Sequence, residues 1–164
     1  MKIRFGYADT EFGQIHYAEC GDRNAPALLC LHQTPRSWDE FRELLPLLGQ
    51  RCRAIAMDTL GMGQSAAPPG QASIEVYAKG AEALLDALGI GEAGVLGHHT
   101  GGVIGVELAA SRPDSVSKLV LTSTAWVDAE SRERRKNRPP IDEVEQQADG
   151  SHLAELWQRR QPLY

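Results

Sequence analysis

The chain has 164 residues, 42% of them hydrophobic and 24% charged, which is the size and composition of one ordinary soluble domain with a core of its own. A formal net charge of -5 offers no broad positive field for nucleic acid or an anionic membrane. The local basic run Arg132, Glu133, Arg134, Arg135, Lys136, Arg138 reads as a solvated helix or loop face.

The amino end, Met1-Lys2-Ile3-Arg4-Phe5-Gly6, lacks the apolar stretch and cleavage site of a signal peptide, and no run reaches membrane-spanning length, so the expected location is cytoplasmic. Phe5 to Phe12 and Gln14 to Glu19 alternate loosely around Gly13, which predicts an antiparallel hairpin. After the turn-rich Gly21 to Pro26, the run Ala27-Leu28-Leu29-Cys30-Leu31 is too apolar for a half-exposed strand and predicts one covered on both faces. From Ser37 to Leu48 the residues Trp38, Phe41, Leu44, Leu45 and Leu48 recur at helical spacing, with a kink or shortening at Pro46 and a stop at Gly49.

Arg53 to Met57 predicts a further buried strand, ending at Asp58 and a glycine-rich loop. Ser73 is the expected N-cap of a helix carrying Val76, Ala83, Leu84, Ala87 and Leu88, closed by Gly89. Val95 and Leu96 form a short strand that stops at Gly97 and turns at once into a helix ending near Pro113, and Lys118 to Ser123 is one more strand. Strand and helix alternation beyond the hairpin predicts an α/β domain, with a mostly parallel sheet and helices on both faces. After Trp126 the pattern changes to polar, helix-like stretches around Ile141 to Ala148 and Ser151 to Arg159, so residues 1–126 and 127–164 are read as two segments. Cys20, Cys30 and Cys52 show no ligand spacing and are read as reduced thiols, with Cys30 and Cys52 inside strands.

Three segments carry chemistry: His32-Gln33-Thr34-Pro35-Arg36-Ser37-Trp38, Asp58-Thr59-Leu60-Gly61-Met62-Gly63-Gln64-Ser65, and Gly97-His98-His99-Thr100-Gly101-Gly102. Each follows a predicted strand, and open parallel sheets bind ligands at the carboxyl ends of their strands. In this order the segments resemble the α/β-hydrolase fold family in its epoxide-hydrolase and dehalogenase branch, over roughly Phe5 to Trp126. The resemblance implies an elbow whose central residue, here His99, is thrust out to react. It also implies an oxyanion site made by the backbone N–H of Thr100 and a second donor at Gln33, where the family often has glycine.

Residue 99 departs from the serine or aspartate of that family, although one base change separates a histidine codon from an aspartate codon. Three readings of His99 compete. It acts as a general base, or it attacks covalently and needs a second group to activate water, or histidine merely tolerates the positive φ of the elbow. His32, His98 and His99 also invite a metal reading, but no acidic or cysteine ligand stands at a recognised spacing, and neither metal nor cofactor is expected. His32 is read as a loop-organising hydrogen-bonder, His98 as a packed histidine beneath the elbow, and Asp58 and Ser65 as turn-capping groups.

The family's acid follows a later strand and its histidine base lies near the carboxyl end. Asp128 lies where some members of the branch put their acid, with helix capping as the competing role, and His152 at a helix start makes a poor base. Residues from Val127 onward resemble the beginning of a helical cap, and the chain is expected to be a truncated product or a fragment. Leu119-Val120-Leu121 would then lie at an exposed sheet edge and invite self-association. The function implied is hydrolysis of a small organic substrate such as an ester, epoxide or halide. The alternatives are a non-catalytic or ligand-binding homologue and a cofactor-free lyase with His99 as base. The expected partner is a small molecule, with no nucleic acid and no membrane.

Overall fold

The computed structural model describes residues 1–125, 128–136 and 144–160, with the backbone alone at 132, 134–136 and 160. The chain divides into two compact units, Met1–Ala125 and Trp126–Tyr164.

In the first unit, β1 (Arg4–Thr10) and β2 (Gly13–Cys20) form the expected antiparallel hairpin, with Tyr7 opposite His16. The strands β3 (Ala27–Leu31), β4 (Arg53–Met57), β5 (Ala93–His98) and β6 (Val116–Thr122) complete a six-stranded sheet in the order β1-β2-β4-β3-β5-β6. β2 meets β4 antiparallel, and the remaining contacts of β3 to β6 are parallel. This is the partial α/β-hydrolase fold that the three segments implied.

The pleat sends successive side chains to opposite faces, and the core divides accordingly. Leu29 and Leu31 of β3 pack with Ile55, Met57 and Val95 against Leu84 of α2 (Ile74–Ala87) and Ile104 and Leu108 of α3 (Thr100–Ser111). Cys30, Ala54 and Ala56 face the other way, onto Phe41 and onto Leu45 of α1 (Leu45–Leu48). Covered on both sides, β4 is buried at every residue, which explains why it reads as an apolar run from Ala54 to Met57. Complete burial of a leucine or isoleucine contributes about 2 kcal/mol, so the two clusters account for much of the cohesion of this unit.

The single helix expected over Ser37 to Leu48 is instead two pieces. Ser37 accepts a hydrogen bond from the Asp39 N–H and opens a 3-10 turn, Trp38–Phe41, and α1 starts anew at Leu45. Pro46 has no N–H to give to a preceding turn, so it sits in the first turn of α1 rather than kinking a longer helix. Cys30 lies within β3, whereas Cys52 precedes β4 in the turn and its Sγ meets the Leu48 carbonyl at 3.2 Å, a correction to its expected place inside a strand. Ser73 caps α2 by accepting from the Val76 N–H, and Gly89 follows with φ +67.

The second unit holds α4 (Ala129–Lys136) and α5 (Ser151–Arg160). Val144 to Gln147 are not helical, so the helix expected around Ile141 to Ala148 is absent over its described part, and 141–143 lie outside the described residues. Arg138 of the basic run also lies outside them. Among the described residues no helix is long and apolar enough to cross a membrane.

Candidate active site

The elbow is built by two close backbone approaches. A Cβ at Gly97 would stand 2.5 Å from the Gly101 carbonyl oxygen, and one at Gly101 would stand 2.0 Å from that of Leu31, so the start of α3 rests directly on the ends of β5 and β3. Between them His99 is held at φ 51 and ψ -113, a conformation that costs on the order of 1–3 kcal/mol outside a structure that enforces it. Its N–H donates to the Thr122 carbonyl at 2.9 Å and its own carbonyl accepts from the Gly102 N–H at 3.0 Å. The imidazole is exposed at the N-terminus of α3, with Nδ1 3.4 Å from Thr100 Oγ1. Thr100 is the first residue of α3, where N–H groups have no partner within the helix and favour negative charge.

His32 lies 1% exposed at the end of β3. Its Nδ1 donates to the Gln33 carbonyl at 2.7 Å and its Nε2 accepts from the Thr59 N–H at 3.0 Å, which fixes the tautomer and ties two loops together. Burial holds the His32 pKa below the ordinary 6.5, against the upward pull of the Gln33 hydrogen bond. Its organising role is the one expected. Asp58 likewise orders backbone, accepting from Trp38 N–H at 2.7 Å and Gln64 N–H at 2.9 Å. It also meets His16 Nδ1 at 2.9 Å, a buried pair without a sequence signal. Ser65 Oγ donates to the Asp58 carbonyl at 2.6 Å and accepts from the His16 N–H at 3.0 Å.

His98 departs from its expected place as a packed residue. Its side chain is 30% exposed, and its Nδ1 lies 2.7 Å from Glu40 Oε1. The other carboxylate oxygen of Glu40 accepts the Gln33 N–H at 3.2 Å. The donor that the resemblance assigns to the oxyanion site is therefore engaged by a carboxylate, which an arriving oxyanion would have to displace. Glu40 was invisible as a site residue in the sequence, because its reach depends on the 3-10 turn that replaces the expected helix.

The structure thus joins His99, Thr100, Gln33, His98 and Glu40 at the carboxyl ends of β3 and β5. Asp128 belongs to the second unit, where its Oδ1 accepts the Ser131 N–H at 2.7 Å, and this hydrogen bond lowers its pKa. That is the capping role. His152 sits in the first turn of α5, and its Nδ1 accepts the Gln147 N–H at 3.2 Å. Among the described residues no three histidine, cysteine or acidic side chains gather to hold a metal ion.

A model of the alpha/beta hydrolase fold matches residues 26–154. The chain belongs to the alpha/beta hydrolase family. It is 33% identical over 110 residues to epoxide hydrolase 4 of Mus musculus, a match covering 66% of this chain and 31% of that protein. It is also 33% identical over 129 residues to bifunctional epoxide hydrolase 2 of Sus scrofa, covering 76% of this chain and 23% of the relative. The chain therefore spans less than a third of the length of these relatives. Among solved structures, the enol-lactonase from Burkholderia xenovorans superposes with a TM-score of 0.66 at 30% identity, over 70% of this chain and 45% of that one. This hydrolase-family chain keeps the elbow, then, with an imidazole at its apex.

Proposed function

We propose that this protein is a hydrolase of a small organic substrate, an ester, epoxide or halide, with His99 as its reactive group and the Thr100 N–H as an oxyanion donor. The observation that carries the reading is the conformation of His99. A strained, exposed residue over a helix N-terminus is the arrangement that presents a nucleophile or base to substrate while donors face the developing charge. Relatives named as epoxide hydrolases and a structural neighbour named as an enol-lactonase support the reaction class.

Imidazole chemistry ranks the substrates. Attack on an acyl carbon gives an acyl-imidazole, which water cleaves, whereas attack on an epoxide or haloalkane carbon gives an alkylated imidazole that water leaves intact. Esters and lactones are therefore the substrates on which His99 turns over in either role, and epoxides and halides only where it acts as a base.

The test is a panel of activated esters, lactones, epoxides and haloalkanes, offered to the natural chain and to His99→Ala. We expect the ester and lactone rates to fall about a hundredfold or more in the variant. Equal, background-level turnover by both chains would sink the reading.

A further inference from the structure

An imidazole that has taken up an acyl group needs a second group to deliver water, and an imidazole acting on an ester directly gains from the same help. The geometry points to His98, oriented by Glu40, as the general base that activates water at the elbow, a proposal that rests on the hydrolase reading of His99. The Glu40 carboxylate lies 2.7 Å from His98 Nδ1. A carboxylate at that distance holds the proton on Nδ1 and leaves the Nε2 lone pair to receive one, which is the division of labour in any acid–imidazole pair that serves a nucleophile.

Exposure fits the roles. The ring of His98 is 30% exposed and open to water, while Glu40 is 12% exposed, so the orienting charge is mostly shielded. Among the described residues Nε2 of His98 has no hydrogen-bond partner. The His98 and His99 rings stand edge to face with centroids 6.5 Å apart, which puts the His98 imidazole beside the reactive one. The second oxygen of Glu40 accepts the Gln33 N–H, which anchors the pair to the loop after β3 at the same end of the sheet as the elbow.

The reaction balances with these groups alone. The unprotonated nitrogen of His99 bonds to the ester carbonyl carbon, the ester C–O bond breaks, and the departing alkoxide takes the proton from the other nitrogen of His99. A water oxygen then bonds to the acyl carbon while His98 Nε2 takes one of its protons. The acyl C–N bond breaks, its electron pair returns to His99, and His98 hands the proton back to that imidazole. The carboxylic acid released loses its remaining proton to solvent. Glu40 touches neither substrate nor water and is a positioning residue.

The experiment follows p-nitrophenyl acetate with the natural chain and with His98→Ala, Glu40→Gln and His99→Ala. For His98→Ala we expect the first equivalent of nitrophenolate to appear in a burst. Steady turnover should fall about a hundredfold, one acetyl group should remain on the chain by intact mass, and added imidazole should raise the steady rate at least tenfold above a chain carrying both His98→Ala and His99→Ala. Glu40→Gln should keep the burst and lose about tenfold in steady rate with little change in KM. Unchanged turnover in His98→Ala, or a loss with no burst, no retained acetyl group and no rescue, would overturn the pair while the His99 reading stands. A natural chain no faster than His99→Ala would overturn both.

Discussion

Glu19 and Glu40 each organise a polar cluster in the first unit, and they do so in opposite ways. Glu19, 1% exposed, is saturated by fixed cations: Arg53 Nε at 3.0 Å, Arg23 Nη2 at 2.6 Å and Arg4 Nε at 3.3 Å. Glu40 holds one imidazole and one backbone N–H beside an exposed elbow. Burial alone would raise the Glu19 pKa, but the three arginines outweigh it and leave the carboxyl below its ordinary 4.5. Guanidinium groups offer donors only, whereas an imidazole offers one nitrogen that donates and one that accepts. The first is therefore a structural device and the second has the means for chemistry.

The comparison breaks most visibly at Glu19. Glu19→Gln leaves the buried Arg53 without its counter-charge, and loss of one partner of a buried ion pair costs about 3–5 kcal/mol. We expect a Tm drop of many degrees, with turnover per folded molecule unchanged. A loss below 1 kcal/mol by urea denaturation would show that the cluster is ornamental. Because the folded carboxyl has the lower pKa, the stabilisation is present above pH 4.5 and is lost as the pH falls through the folded value.

A smaller effect belongs to His32, which links the loops after β3 and β4. Its folded pKa lies below 6.5, so the unfolded chain takes up the proton first. Its contribution is complete above pH 6.5 and is lost as the pH falls from there toward the folded value, a window that opens before that of Glu19. His32→Gln should flatten the slope of unfolding free energy against pH as the pH falls below 6.5. An identical slope in both chains would remove His32 as the group responsible.

The contrast also marks how far a sequence can be read. The glycines of the elbow were legible because a Cβ on either would stand 2.0 to 2.5 Å from a backbone oxygen, and the buried strands because two-sided burial demands apolar runs. Asp58 was legible as a loop-ordering group because such loops are short-range structures. Its pairing with His16, and the reach of Glu40 to His98, join residues 42 and 58 positions apart. Local pattern holds no record of such distances. Glu40 was further obscured by a helical periodicity that the fold splits between Phe41 and Leu45, so that Glu40 lies in a 3-10 turn and reaches His98 at the elbow.

The smallest stability effect is expected where neither kind of cluster reaches, on β6. This strand pairs with β5 on one side, and among the described residues no strand pairs with its other side. Val120 and Leu121 are 52% and 46% exposed there, although their sequence reads like that of the buried strands. An apolar strand with free backbone donors and acceptors is a template for pairing, and a lysine on it opposes pairing through charge while leaving its bonds to β5 intact. Val120→Lys should change the unfolding free energy by no more than about 0.5 kcal/mol. It should also lower the apparent mass measured by light scattering at high protein concentration. If the natural chain and the variant give the same mass across the concentration range, the outer strand plays no part in association. A large loss of stability would instead mean that the exposed face of β6 is held by contacts as firm as those around Glu19.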